Sequence, residues 1–313
     1  MTSPDEDPVS VMCRTTKEHL MQIRLTTLSR ATAGIALGLS MATTSLAQSA
    51  VAALEHTVDQ IEARFDGRVG ISLIDTGSDF RWSHRQDERF LMNSTIKAPL
   101  CGAVLARVDA GTLSLSKKLE IRQGDIMSYA PVTKQRIGGR MTIAELCLAT
   151  IDKSDNTAAN LLIEELGGPK AITQFFRSVG DMESRLDRRE PELNRFAIGD
   201  PRDTTTPAAF AQTLQTLLMG DALSAKSRKT LADWMSHGGV TAQLLRAEAP
   251  ADWQILDKSG SGSHTRNLVA VVTPRGRAPW IVTLFLSDMD ATFATRNAAL
   301  QDVGRAVIGV IGE

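Results

Sequence analysis

Ser94 and Lys97 stand three residues apart at the head of an apolar run, Ala98 to Leu105. On a helix that spacing puts both side chains on one face, a turn apart. A serine at a helix start also has unpaired backbone N–H groups beside it, which suit a developing oxyanion. A neighbouring lysine takes the serine proton if neutral and stabilises negative charge if protonated. Alone the pattern is weak. Ser114 and Lys117 repeat it after Gly111, in a polar connection that reads as solvated surface. Pro99 also removes a helix hydrogen bond near the first turn. Ser154-Asp155-Asn156 is a second candidate, although those residue types commonly cap helices. Lys258-Ser259-Gly260 is a third, with a strand end carrying an exposed lysine as its plain reading.

These groups need elements to hold them. Val51, Leu54, Val58, Ile61 and Phe65 step by three and four, the pattern of an amphipathic helix that Gly67 ends. Val69–Ile74 and Phe80–His84 flank Asp75-Thr76-Gly77-Ser78 and predict a hairpin. The chain from about 93 to 236 is helical in character, including Met141–Ala149, Ala158–Glu165 and Pro207–Met219. Arg185–Asp203 interrupts it as a long polar segment with two prolines, a kind of segment more often functional than idle. Trp253–Ser259, Leu268–Thr273 and Trp280–Ser287 read as strands, the last two joined through Pro274-Arg275-Gly276-Arg277. Phe293, Leu300, Val303, Val307 and Val310 form the apolar stripe of a closing helix. The expected fold is therefore α+β. One antiparallel sheet is built from both chain ends and flanked by terminal helices, and an all-helical lobe is inserted. The α/β lobe takes 48–92 and 237–313, the helical lobe 93–236, and together they make a single catalytic domain over 48–313. The cleft between the lobes is a natural site.

Composition narrows the function. The formal net charge is −1, with Lys+Arg 35 against Asp+Glu 36, so no global field selects nucleic acid or an anionic membrane. No histidine stands at metal-ligand spacing from another or from a cysteine, so neither metal nor cofactor is expected. Arg24 and Arg30 precede the apolar stretch Ala31–Met41, and Ser45-Leu46-Ala47 follows as a small-x-small exit. Residues 1–47 thus read as an N-terminal extension and secretory signal, with translation starting at Met21 and cleavage after Ala47. The apolar run is too short to span a bilayer. An exported monomer, periplasmic or secreted and free of the membrane after cleavage, is expected. Cys13 leaves with the signal. Cys101 and Cys147 remain, and can pair in an oxidising compartment or stay as two buried thiols; pairing is the expectation.

The three groups occur in order, and in that order the chain resembles a class A serine β-lactamase. The likeness runs from about Arg68 to the C-terminus. It includes Asn156-Thr157-Ala158-Ala159-Asn160, Gly167-Gly168-Pro169, Arg185-Leu186-Asp187-Arg188, Glu190-Pro191-Glu192-Leu193-Asn194, Arg202-Asp203-Thr204-Thr205 and Arg296-Asn297. The resemblance implies hydrolysis of β-lactams, small molecules that are the only partners expected. Ser94 would be the nucleophile, with the backbone N–H groups of Ser94 and Ser261 as oxyanion donors. Ser154 would pass a proton to the leaving nitrogen, tuned by Lys258. Lys258, Ser259, Ser261 and Arg266 would face the substrate carboxylate. Asn156 would bind the acylamide side chain, and Tyr129 would wall the cleft. Glu190 and Asn194, on an Ω-loop over 185–203, would hold the water that releases the acyl group. Arg188 and Asp203 would pair across that loop's neck. The base for acylation is either Lys97 or Glu190.

Three departures bear on substrate range. Ser259 stands where the family often has threonine, a change that keeps the hydroxyl. The stretch Gly262–Arg266 is about one residue shorter than in many relatives, which alters the reach of Arg266. Asn93 and Gly262 stand where some carbapenem-hydrolysing relatives have a cysteine pair, so a penicillinase weak on bulky cephalosporins and carbapenems is expected. The rival readings are a D,D-peptidase, which would lack Glu190 and Asn194 and stay acylated, and a non-catalytic β-lactam sensor, which would need a transmembrane partner segment. A cell-wall binding module, with Ser94 as a mere helix cap, would keep its function after Ser94→Ala.

Overall fold

Pairing between the two ends of the chain builds the central layer. The computed structural model describes residues 48–313. The signal, the start at Met21, the cleavage after Ala47 and Cys13 lie outside the described residues. Residues 53–312 form one compact unit. Helix α1 covers 48–65 and buries Leu54, Val58 and Ile61. Strands β1 (Arg68–Asp75) and β2 (Arg81–His84) follow. In their turn Asp75 Oδ1 accepts the Gly77 N–H at 2.9 Å, an Asx-type closure. Then come β3 (Phe90–Leu91), a 3₁₀ turn over Asn93–Ile96 and α2 (Lys97–Asp109). Next are β4 (Lys118–Glu120), β5 (Arg140–Thr142), α3 (Ile143–Asp152), α4 (Asn156–Glu165) and α5 (Pro169–Ser178). After the irregular stretch come β6 (Thr204–Thr205), α6 (Pro207–Leu218), α7 (Ala225–Ser236) and α8 (Leu245–Glu248). Strands β7 (Gln254–Ser261), β8 (Arg266–Thr273) and β9 (Trp280–Ser287) and helix α9 (Phe293–Gly312) end the chain.

The five long strands form one antiparallel sheet in the order β2-β1-β9-β8-β7. Helix α6 packs on β1 and β9, and α9 packs on β8 and β9. With both faces covered, β1, β8 and β9 are buried almost throughout, which is why they read as unbroken apolar runs instead of alternating. The sequence expectations place these strands to within a residue or two. The middle of the chain is less purely helical than its periodicity suggests. It contains the β4–β5 ribbon, and β3 pairs there with β6.

Helix α2 is the axis of the helical layer. Every residue from Lys97 to Leu105 is buried, and α3, α4, α6 and α7 all pack against it. A helix apolar all round belongs in a core. Gly102 permits its approach to α6: a Cβ there would lie 2.9 Å from Leu217 Cδ1. Pro99 costs little, because its missing N–H falls in the first turn of α2. Caps fix the neighbours. Thr142 and Glu145 form a capping box on α3, and Asp155 accepts the Ala158 N–H at the head of α4.

Two expectations are corrected. Cys101 and Cys147 are free buried thiols, not a disulfide, and Cys101 Sγ lies 3.8 Å from the Cys147 carbonyl. Burial pushes the Cys147 thiol well up from its usual value, so it stays protonated. Phe293 does not join the buried stripe of α9. It is 55% exposed, because the first turn of the helix overhangs a cavity.

Candidate active site

Lys97, in the first turn of α2, is the hub of the site. Its Nζ donates to Ser94 Oγ at 3.0 Å, the Ser154 carbonyl at 2.8 Å, Ser154 Oγ at 3.2 Å and Asn156 Oδ1 at 2.6 Å. It also stands 3.0 Å from Glu190 Oε1, and neither side chain of that pair is exposed. Three N–H donors thus serve four hydrogen-bond acceptors and face one carboxylate oxygen. Burial pulls the Lys97 ammonium below the ordinary lysine value, and the Glu190 charge partly offsets that.

Four segments bring these groups together. The 3₁₀ turn delivers Ser94 directly above Lys97. The connection between α3 and α4 delivers Ser154, which sits in the left-handed region at φ +55. Non-glycine residues rarely adopt that conformation, and it costs about 1–3 kcal/mol. Asp155 over-determines it. Besides capping α4, its carboxylate accepts the N–H groups of Val132 and Thr133, both at 2.9 Å. So the plain cap reading describes Asp155, while Ser154 beside it turns its hydroxyl towards Lys97.

Strand β7 closes the third side. Lys258 Nζ donates to Ser154 Oγ at 3.2 Å and to the Ser259 carbonyl at 2.8 Å, and the residue is fully buried. Gly260 lets β7 lie flat on the serine segment: a Cβ there would fall 2.8 Å from the Met92 carbonyl and 3.1 Å from the Ser94 amide nitrogen. Burial, then the charges of Lys97 and Arg266, depress the Lys258 ammonium well below its ordinary value.

The 185–203 stretch supplies Glu190 and Asn194. Asp203 gathers its neck, accepting the N–H of Asp187 at 2.7 Å, that of Arg188 at 2.9 Å, and Arg188 Nε at 2.5 Å. The β3–β6 pair and the Met92 N–H on the Asp203 carbonyl, at 3.0 Å, tie the neck to the segment that carries Ser94. Asn160 of α4 clamps Glu190 from below, accepting its N–H at 2.9 Å and donating to its carbonyl at 2.8 Å. The Glu190 carboxylate is held between Lys97 and Asn194, whose Nδ2 donates to Oε2 at 2.5 Å. Oε1 faces the Lys97 charge without a well-directed hydrogen bond.

Above these buried groups lies a cavity of about 360 Å³. Ser94, Ser154, Asn156, Asn194, Ser259, Ser261, Arg266 and Tyr129 line it, together with Val240, which the sequence did not single out, and Phe293, which it assigned to the buried stripe of α9. Arg266 lies over the Phe293 ring at 5.2 Å and donates to Asn297 Oδ1 and the Gly260 carbonyl, both at 3.0 Å. Burial and the Arg296 charge bring its guanidinium down to about 10. Neither Arg266 nor Lys258 forms a salt bridge with a carboxylate among the described residues, and the Arg266 guanidinium brings positive charge to the cavity wall. A hollow of similar volume, bordered by Arg68, Arg89 and Ile198, holds none of these groups; there Arg68 pairs with Glu88 and Asp288. The Ser114–Lys117 repeat is a surface feature, with Lys117 on Glu165 at 2.6 Å.

The arrangement therefore combines a serine at a helix start, two buried ammonium groups, a buried carboxylate and an anion-attracting cavity. The chain belongs to the β-lactamase enzyme family, which matches it over residues 53–311, and its fold is that of the class A branch. The β-lactamase of Rhodobacter capsulatus is 64% identical over 293 residues, 94% of this chain and 100% of that protein. β-Lactamase L2 of Stenotrophomonas maltophilia is 47% identical over 254 residues, 80% of this chain and 84% of that protein. The structure of an ancestral (GNCA) class A β-lactamase superposes with a TM-score of 0.79 at 51% identity, covering 82% of this chain and 98% of that one. The activity of the family is hydrolysis of β-lactams, and it belongs to this chain.

Proposed function

We propose that the chain hydrolyses the lactam amide of penicillins through an acyl-enzyme on Ser94. The observation that carries this is the convergence of Ser94, Ser154, Asn156 and Glu190 on one lysine, each within 3.2 Å of its ammonium. Ser94 Oγ attacks the lactam carbonyl as its proton leaves towards the Lys97–Glu190 pair. The backbone N–H groups of Ser94 and Ser261 hold the oxyanion, an interaction whose loss generally costs about 10²–10³ in rate. The C–N bond breaks as Ser154 passes a proton to the nitrogen, with the charge of Lys258 beside its hydroxyl. Glu190 then takes a proton from water, Asn194 fixes that water, and its oxygen displaces Ser94 from the acyl carbon.

Substrate contacts follow the charges. Lys258, Ser259, Ser261 and Arg266 hold the penicillin carboxylate, Asn156 the acylamide side chain, and Tyr129 the face of the cleft. Arg188 and Asp203 keep the Glu190 loop closed. Asn93 and Gly262, in place of a cysteine pair, leave carbapenems as poor substrates. The enzyme is exported to the periplasm or secreted, loses 1–47 on export, and acts as a monomer on free β-lactams.

Turnover of a penicillin, a chromogenic cephalosporin and a carbapenem by the wild type and Ser94→Ala tests this reading. The penicillin should be turned over fastest, and Ser94→Ala should neither turn over nor gain mass. Carbapenem turnover matching the penicillin rate contradicts the preference; residual full activity in Ser94→Ala contradicts the acyl-enzyme.

A further inference from the structure

Behind Ser94 lie two buried amides, Asn93 and Asn267, that the reaction above does not use. Asn93, immediately before the nucleophile, is fully buried and has φ +49, a left-handed conformation that asparagine tolerates better than most residues. Its Oδ1 accepts Thr265 Oγ1 at 2.7 Å and Asn267 Nδ2 at 3.0 Å. Its Nδ2 donates to Asn194 Oδ1 at 3.0 Å. Thr265 and Asn267, on the β7–β8 side of the site, are also fully buried.

Hydrogen-bond chemistry sets the orientation of each amide in turn. The backbone carbonyls of Leu91 and Met92, at 2.8 and 3.2 Å, demand an NH₂ group from Asn267. That NH₂ demands an acceptor from Asn93, which places its Oδ1 there and turns its Nδ2 towards the 185–203 loop. The Asn93 donor then demands Oδ1 from Asn194, which leaves the Asn194 NH₂ facing Glu190 Oε2 at 2.5 Å. The register is rigid. A Cβ on Gly262 would lie 2.9 Å from Asn93 Nδ2, so the loop after β7 closes directly over the amide.

We propose that Asn93 is a positioning residue for release of the acyl group: through its donor on Asn194 it fixes which face of that amide meets Glu190. This rests on the assignment of Glu190 and Asn194 to hydrolysis. It acts chiefly on deacylation, where Asn194 and Glu190 both serve the water; attack by Ser94, whose hydroxyl is bonded to Lys97, is affected less.

The test is steady-state and burst kinetics with a penicillin, together with intact-mass spectrometry during turnover, on Asn93→Asp. Aspartate keeps both acceptors for Thr265 and Asn267 but has no hydrogen for Asn194, whose amide then reverses. The expected result is kcat and KM both down about tenfold with kcat/KM within about twofold, and a visible acyl adduct, the signature of a slowed second step. Thr265→Val, nearly isosteric, removes one of the donors that set the Asn93 flip; it should shift kcat in the same sense about threefold, and gives a readout should the aspartate variant fold poorly. Glu190→Gln is the control. If it traps the adduct while Asn93→Asp and Thr265→Val show wild-type kcat, or lose kcat/KM in step with kcat, Asn93 does not position deacylation. If Glu190→Gln itself releases the adduct at the wild-type rate, the hydrolytic assignment fails, and this inference with it.

Discussion

Lys97 and Glu190 form a salt bridge of 3.0 Å in which both side chains are wholly withdrawn from solvent. Removing one partner from such a pair strands a buried charge and typically costs about 3–5 kcal/mol, whereas removing both is often far milder. Lys97→Met should therefore lower unfolding stability by about that range, and Lys97→Met with Glu190→Gln should recover a good part of it. Denaturant unfolding of the single and double variants measures the coupling. Additive losses would show that the two charges do not depend on each other.

The two buried lysines set a pH signature. Lys258 loses its proton in the folded protein at a pH below the free-lysine value of about 10.4, because burial and the neighbouring cations oppose its charge. Between those two pKa values the folded state holds fewer protons than the unfolded one, so this group's stability penalty fades as pH rises and is gone above about 10.4. Activity runs the other way. With Lys258 holding the substrate carboxylate as proposed, KM should climb as the ammonium is lost. Lys258→Arg, whose guanidinium stays charged, should move that alkaline limb of kcat/KM upward. An identical limb in both enzymes would remove Lys258 from carboxylate binding.

Arg266 tests the same clamp from the other side. Its guanidinium, brought down to about 10, is charged at neutral pH and faces the cavity without an anionic partner. Arg266→Ala should raise KM for a penicillin about tenfold with kcat little changed, the pattern of lost uniform binding. A fall in kcat at constant KM would assign Arg266 to the chemical step.

The neck of the 185–203 loop is a further weak point. Asp203 is buried and accepts two backbone N–H groups besides Arg188. Asp203→Asn should cost about 3 kcal/mol in stability, by unpairing Arg188, and should slow acyl release more than acyl formation. Unchanged melting with unchanged kcat would show that the loop closes without it.

Much of this site was legible in the sequence because its pieces are local. Ser94 and Lys97 share a helix face, Ser154 and Asp155 straddle a helix cap, and Lys258 sits on an apolar strand. The strands of the sheet were legible from their apolar runs and turn residues. What escaped depends on distant contacts. The Asn93–Asn267 bond joins residues 174 apart, and nothing in either segment announces it. Asn160 was visible as part of a motif, but its clamp on Glu190 spans 30 residues. Phe293 fits the period of α9, yet period alone does not say that the first turn overhangs a cavity. The cysteine expectation rested on parity and compartment, neither of which carries geometry.

In the proposed cycle a Ser94 acyl-enzyme forms and is released by water held at Glu190. Rapid-quench intact-mass spectrometry of Glu190→Gln mixed with excess penicillin tests it most directly. A protein heavier by the mass of one penicillin, mapped to the Ser94 peptide, should persist long after the wild type has returned to its free mass. Unmodified Glu190→Gln that produces penicilloate at the wild-type rate would contradict it.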